Sequence, residues 1–414
     1  MHISGFKKVL PYAVVVFFGF VGFSMPLPIF PEMFLGKGSS VLPISYSQEL
    51  KTFLLGLIMS AYPAGQLIGS PILGKCSDRW GRKKVIILSL IGCLLGYVGT
   101  AFAVQSSCIT AMFMGLFFCG LCEGNVAIAQ SVIADLASDD VEKKTVYFGW
   151  INLFICLAFI VGPILGGVLS DRSISSWFNF ATPFWVGAIL TSVAVVIIFY
   201  FSEETRKEQL LEKKLGYWKN LTKGIHQKTL AKFYLVNFFL ALGYFAYFRF
   251  FPVYLKEVFS FSSSQLGYII AYGSIAFAIA AFLFLKPIAK KLSPEKAVAV
   301  FSVGLALSIA LIFIPNASWS FFFTTLPVNA CLAVVMTYSS VLVSEAAPPS
   351  FQGQALGILT SVQVSAETLT GLGGGILASY DSFLPMWVGS AMFVIAALFL
   401  FAFKGKNKDS FAQK

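Results

Sequence analysis

Apolar residues gather along the chain in blocks of about twenty, parted by short polar segments. A helix of about 20 apolar residues is long enough to cross the hydrocarbon core of a bilayer. The pattern predicts about twelve transmembrane helices, near residues 9–31, 52–73, 85–104, 108–134, 146–170, 182–202, 232–255, 265–286, 297–315, 318–344, 354–378 and 384–403. The start, Met1 to Lys8, is basic, and no small-residue cleavage site follows the first apolar block. That block therefore reads as a retained span and not as a cleaved signal.

The longest polar stretch, with Glu-Glu-Thr-Arg-Lys-Glu and many lysines, lies between spans six and seven. It divides the chain into an N-terminal six-helix half (1–202), a cytoplasmic linker (203–231), a C-terminal six-helix half (232–404) and a cytoplasmic tail (405–414). The halves echo each other. Gly149 and Gly167 are 18 residues apart, as are Gly357 and Gly375. Leu55-Gly56 and Leu266-Gly267 stand at equal distances before Lys75 and Lys286. Parallel repeats of this kind predict two pseudo-symmetric halves with a substrate site between them near the midplane.

Charge sets the orientation. Of the 30 Lys and Arg residues, 25 fall in segments on the side of the N-terminus. Only Lys37, Lys51, Arg172 and Lys256 fall on the other, and Arg249 lies inside a span. The bias places both termini in the cytoplasm. It also accounts for the net charge of +11 without any nucleic-acid partner. Apolar residues are 57% of the chain and charged ones 12%, too few charges to cover a soluble protein of this length. Seven cysteines are scattered, mostly within apolar blocks. Cys119-x-x-Cys122 has redox-like spacing but lies in a hydrophobic span, so these thiols read as small packing residues. The two histidines form no metal-ligand cluster, and no cofactor or metal is expected.

Two segments carry motifs. The first, G-K-C-S-D-R-W-G-R-K-K from Gly74 to Lys84, follows span two. Gly74 would let helix ends approach, and Asp78 could accept from a helix N-terminus and pair with arginine. The segment resembles the signature G-x-L-x-D-R-x-G-R-[KR] of the major facilitator superfamily: Gly74, Asp78, Arg79, Gly81, Arg82 and Lys83 match, and Cys76 replaces the leucine. The resemblance implies an all-α membrane fold of two six-helix halves. It also implies that this loop acts as a cytoplasmic gate, with Asp135 of I-A-D-L as acidic partner for the loop arginines. The second, Gly149 to Gly167 in span five, resembles the family's antiporter motif G-x8-G-x3-G-P-x2-G-G. Gly149, Gly162, Pro163, Gly166 and Gly167 fit, and Ala158 replaces one glycine. With P-L-P-I-F-P at the end of span one, the chain is similar to the twelve-span drug–proton antiporters, tetracycline exporters among them. Leu116 stands where that group often has arginine, and the loop before span eleven, P-P-S-F-Q-G-Q, is neutral where theirs is usually basic.

A charge at the bilayer centre costs roughly 2.5–3.5 kcal/mol on insertion scales, so intramembrane ions call for a partner or a function. Three stand out: Glu123 in span four, Arg249 in span seven and Glu367 in span eleven. Helical spacing puts Cys119, Glu123 and Gln130 on one face, and Thr360, Gln363, Glu367 and Thr370 on another. Such stripes suit a wet cavity in which Glu123 and Glu367 take and release protons. Arg249, Gln363, Gln130, Asn237, Tyr244 and Tyr247 are the candidate substrate contacts. The alternative for either acid is a permanent ion pair with Arg249 or a helix cap. Arg249, in turn, could snorkel toward the outer surface.

The expectation is a monomeric carrier in a bacterial inner membrane. It would move a small organic compound by alternating access, most simply by proton-coupled export. Proton-coupled uptake of a metabolite or a metal-chelating molecule such as a siderophore by the same fold stays open. A receptor or embedded enzyme finds no sensing domain and no His, Cys or Asp cluster to support it.

Overall fold

The computed structural model describes residues 3–36, 41–137, 141–204, 228–314, 317–348 and 351–404. Most of the expected linker, residues 205–227, and the tail, 405–414, lie outside the described residues. The described residues form fourteen α-helices, with no strand among them. Helices are what a bilayer demands, because every backbone N–H and C=O must be satisfied within the span.

The helices are α1 (Ile3–Ser24), α2 (Ile29–Leu35), α3 (Gln48–Trp80), α4 (Arg82–Gln105), α5 (Ile109–Cys122), α6 (Asn125–Ala137), α7 (Val141–Ser170) and α8 (Thr182–Phe201). There follow α9 (Lys228–Phe259), α10 (Ser263–Lys291), α11 (Pro294–Leu311), α12 (Phe321–Ala346), α13 (Gln352–Tyr380) and α14 (Leu384–Lys404). Among the described residues, eleven spans are long and apolar enough to cross a membrane. Span eleven, α13, is 29 residues long but less apolar, diluted by Gln363, Glu367 and several threonines and serines.

Three local expectations are corrected. Span one does not end at its prolines: after a turn at Met25–Pro28 it resumes as α2. Residues 74–80 are not a loop, because α3 runs on to Trp80 and Gly81 alone separates it from α4. Span four is not one helix: α5 stops at Cys122 and α6 begins at Asn125, with Glu123 and Gly124 between them.

The chain forms two compact units, Met1–Lys214 with Leu255–Ala271, and Leu215–Tyr254 with Tyr272–Lys414. In the first, α3 and α5 touch backbone to backbone. A Cβ at Gly120 would collide with the Tyr62 carbonyl, and one at Gly65 with the Phe117 carbonyl. Van der Waals contact between small-residue surfaces replaces the hydrophobic drive that lipid removes. Val9, Val16, Ile86, Leu90, Ile133 and Ile151 fill the space between α1, α4, α6 and α7. In the second unit, α11 lies against α12 and α14, and Gly374 of α13 receives the Phe250 ring of α9.

Candidate functional site

The motif after span two builds an ion cluster around the start of α4. Gly81 takes φ 105°, a conformation glycine adopts without strain. Arg82 follows as the first helical residue. Its Nη1 lies 2.7 Å from Asp78 Oδ1 and its Nε 3.4 Å from Asp135 Oδ2. Nη1 also donates to Ser77 Oγ at 2.8 Å. The backbone N–H groups of Arg82 and Lys83 donate to the two oxygens of Glu204, at 2.8 and 3.1 Å. Lys83 Nζ donates to the carbonyls of Phe199 and Ser202 at the end of α8. Anion at a helix start and cation at a helix end both complement the helix dipoles. The same carboxylate occupies the space a Cβ at Gly81 would need.

Glu204 was not foreseen. It falls at the start of the expected linker, 122 residues from Arg82, and nothing in local spacing relates the two. Three details of the expectation are revised. Among the described residues no heavy atom lies within 4 Å of a Cβ built on Gly74, so none of them makes a close approach there. Asp78 pairs with Arg82 across Gly81, at the junction of α3 and α4, and it is Glu204 that takes the N-terminus of α4. The Asp78 side chain is 39% exposed, not buried. Arg79 is exposed.

Glu123 caps α5, and its N–H returns to the Gly120 carbonyl at 3.0 Å. The break in span four frees backbone groups, and neighbouring helices satisfy them. Ser70 Oγ donates to the Glu123 carbonyl at 3.0 Å. Ser89 Oγ donates to the Cys122 carbonyl at 2.5 Å and accepts from Gly124 N–H at 3.2 Å. The carboxylate is therefore held on a fixed irregular backbone at membrane depth, a geometry tolerated only inside protein. Glu123 is 6% exposed. Cys93 Sγ stands 3.5 Å from Oε2, and Tyr62 and Asn125 complete its surroundings. No ion pair to Glu123 occurs among the described residues. Gln130 lies beyond the break in α6 and is half-buried, so the continuous face expected for Cys119, Glu123 and Gln130 does not form.

Glu367 has the opposite setting. Its carboxylate is hydrogen-bonded and ion-paired to the Arg249 guanidinium, and both residues are buried. Of the two fates weighed for Arg249, pairing holds, and snorkelling does not. The hydroxyls of Thr360 and Thr370 bond carbonyls one turn back in their own helix, and Gln363 is half-buried. Asn237, expected to meet substrate, spends its amide on the Phe233 carbonyl and on the Ser339 carbonyl of α12. Tyr244 stacks on Phe248 at 5.4 Å and Tyr247 on Phe251 at 5.3 Å. Tyr247 is buried, while Tyr244 is half-buried.

The glycines of span five divide by use. Gly162 and Gly166 leave no room for a Cβ against Ser24 Oγ and the Met25 carbonyl of span one. Gly167 meets the backbone of Ser263 and Ser264, and the Pro163 carbonyl meets Gly267, so α7 and the start of α10 touch directly. Ser24 Oγ bridges to the Ala158 carbonyl at 3.2 Å. Gly149 is exposed and, among the described residues, has no heavy atom within 4 Å of a built Cβ.

Comparison with known proteins follows the same lines. The model of the Major Facilitator Superfamily matches residues 12–366 and 233–413. The chain is 25% identical over 414 residues to the tetracycline resistance protein, class E, of Escherichia coli, covering 95% of this chain and 94% of that one. Its fold matches the human organic anion transporter MFSD10 with TM-score 0.69 at 20% identity, covering 96% of this chain and 99% of that one. It matches a D-xylose–proton symporter with TM-score 0.76 at 17% identity, covering 97% and 98%.

Proposed function

Because the chain belongs to the Major Facilitator Superfamily, a family of membrane transporters and not of enzymes, we propose that it exports a small organic compound across a bacterial cytoplasmic membrane in exchange for protons. Alternating access is the mechanism, the termini lie in the cytoplasm, and Glu123 is the proton-carrying group. The single observation that carries the coupling role is the setting of Glu123. It is a buried carboxyl with no ion pair among the described residues, fixed at a helix break whose backbone is already satisfied.

The chemistry follows from that setting. A carboxyl between a thiol, a phenol and an amide can be held neutral or charged without moving the backbone. Glu367, by contrast, already has a guanidinium, so its charge is balanced in place. The Arg82 cluster supports a gating role. One guanidinium joins the ends of α3 and α6, and Glu204 brings in the end of α8, so these ends can release only together. Export is favoured by the likeness to a tetracycline resistance protein over nearly the whole chain.

The test uses membrane vesicles. Everted vesicles energised by respiration should accumulate cargo, and Glu123→Gln should abolish that uphill accumulation while retaining downhill exchange. Unimpaired proton flux and uphill transport in the variant would remove Glu123 from the coupling role. Accumulation only in right-side-out vesicles with an inward proton gradient would make the chain an importer.

A further inference from the structure

The end of the first unit opposite Gly81 holds a cavity of about 630 Å³. The far end of α4 fixes this position. Gln105, where α4 finishes, lines the cavity, whereas Arg82, where it starts, belongs to the ion cluster. The volume is in the range that takes a small molecule. Among the described residues its ionisable lining is Glu32, Asp171 and Arg172, two carboxylates and one guanidinium. Phe180 is the aromatic residue among those that line it.

Two further observations point to an occupant. Ser263 lines the cavity, is only 3% exposed, and its hydroxyl has no hydrogen-bond partner among the described residues. Burying such a group unpaired is unfavourable, and a ligand group or water would recover the loss. The two carboxylates, meanwhile, hold the start of α10 and the end of α9 in place. Glu32 pairs with Lys256, and Asp171 Oδ2 accepts from Ser264 Oγ at 2.9 Å. Asp171 is partly desolvated, which opposes its charge. Hydrogen bonds from the Ser173 hydroxyl and N–H and from Ser264 outweigh that and hold the carboxyl below its usual range. Asp171 thus stays anionic at neutral pH.

We propose that this cavity binds a small organic ammonium ion, with the Glu32 and Asp171 carboxylates as charge partners and Phe180 as the aromatic wall. The quadrupole of an aromatic face attracts an alkylammonium, and the carboxylates neutralise it. The occupant competes with Lys256 and Ser264 for the same oxygens. Binding therefore loosens the contacts that tie the segment Leu255–Ala271 to α2 and α7. The site is independent of the direction in which cargo moves.

The experiment uses the full chain in nanodiscs of phosphatidylcholine. Ser107, an exposed lining residue, is replaced by cysteine in a Cys108→Ser background, and its rate of maleimide labelling is followed. Tetramethylammonium should slow labelling about fivefold at saturation, while the neutral isostere tert-butanol leaves the rate unchanged. Asp171→Asn and Glu32→Gln should each raise the half-protecting concentration about tenfold. Glu123→Gln should leave protection unchanged, which separates this site from the proposed proton carrier. Equal protection by tert-butanol, protection that survives both carboxylate substitutions, or no protection in a folded protein would each overturn the proposal. If Glu32→Gln unfolds the chain through loss of the Lys256 pair, Asp171→Asn carries the test by itself.

Discussion

Glu123 and Glu367 are the same residue type at membrane depth, each buried, yet they are kept by opposite means. Glu367 is balanced by a guanidinium on another helix. Glu123 has no such partner among the described residues and sits among a thiol, a phenol and an amide. The difference teaches that burial alone does not define a coupling group. A paired carboxylate is stabilised in its charged form, and removing one partner strands the other. An unpaired carboxylate at a helix break can change protonation state without stranding anything.

That contrast can be broken or sharpened by substitution, taken from the largest expected effect downward. Arg249→Met leaves Glu367 buried without its cation and should cost about 3–5 kcal/mol of stability, measured by reversible unfolding in mixed micelles. Adding Glu367→Leu should restore most of it. A single substitution that costs less than about 1 kcal/mol would show that the pair is not what holds Glu367. Glu367→Gln keeps one hydrogen bond to Arg249 and should cost about 1.5–3 kcal/mol, with transport reduced mainly through affinity.

Glu123→Gln should change stability by no more than about 1 kcal/mol, since its neighbours bond a neutral amide as well as an acid. Its effect appears instead as loss of gradient-driven accumulation. A strongly destabilised Glu123→Gln protein would erase the distinction between the two acids. The smallest effect belongs to Asp171, outside the spans. Its folded carboxyl lies below the usual range, so its contribution is present above the unfolded value near pH 4 and is lost as pH falls through the lower folded value. The difference in unfolding temperature between the wild-type chain and Asp171→Asn should therefore shrink on acidification through that window. A difference that grows instead would contradict the direction of the shift.

Much of the fold was legible along the chain. Spacing of apolar blocks located most span ends to within a few residues, and the motif residues Arg82 and Asp135 do meet. The misreadings share a cause. Span four reads as one helix because Glu123-Gly124 is no stronger a breaker than other Gly-containing stretches. The break exists because Ser70 of α3 and Ser89 of α4 are placed to satisfy the freed backbone. Gly74 and Gly149 match motifs as well as Gly162 and Gly166 do, yet only the latter two face another helix at backbone distance.

What the sequence determined by itself is what depends on neighbours in the chain or on the solvent: helical spans, their number to within one, and the lysine and arginine bias. A bilayer acts on each span separately, so hydropathy is a local property. What only the tertiary structure decided is which ion meets which. Arg249 and Glu367 are 118 residues apart, and Arg82 and Glu204 are 122 apart. No periodicity relates them. Their pairing follows from helix packing, and packing decided that one buried acid is balanced by a guanidinium while the other sits beside a thiol, a phenol and an amide.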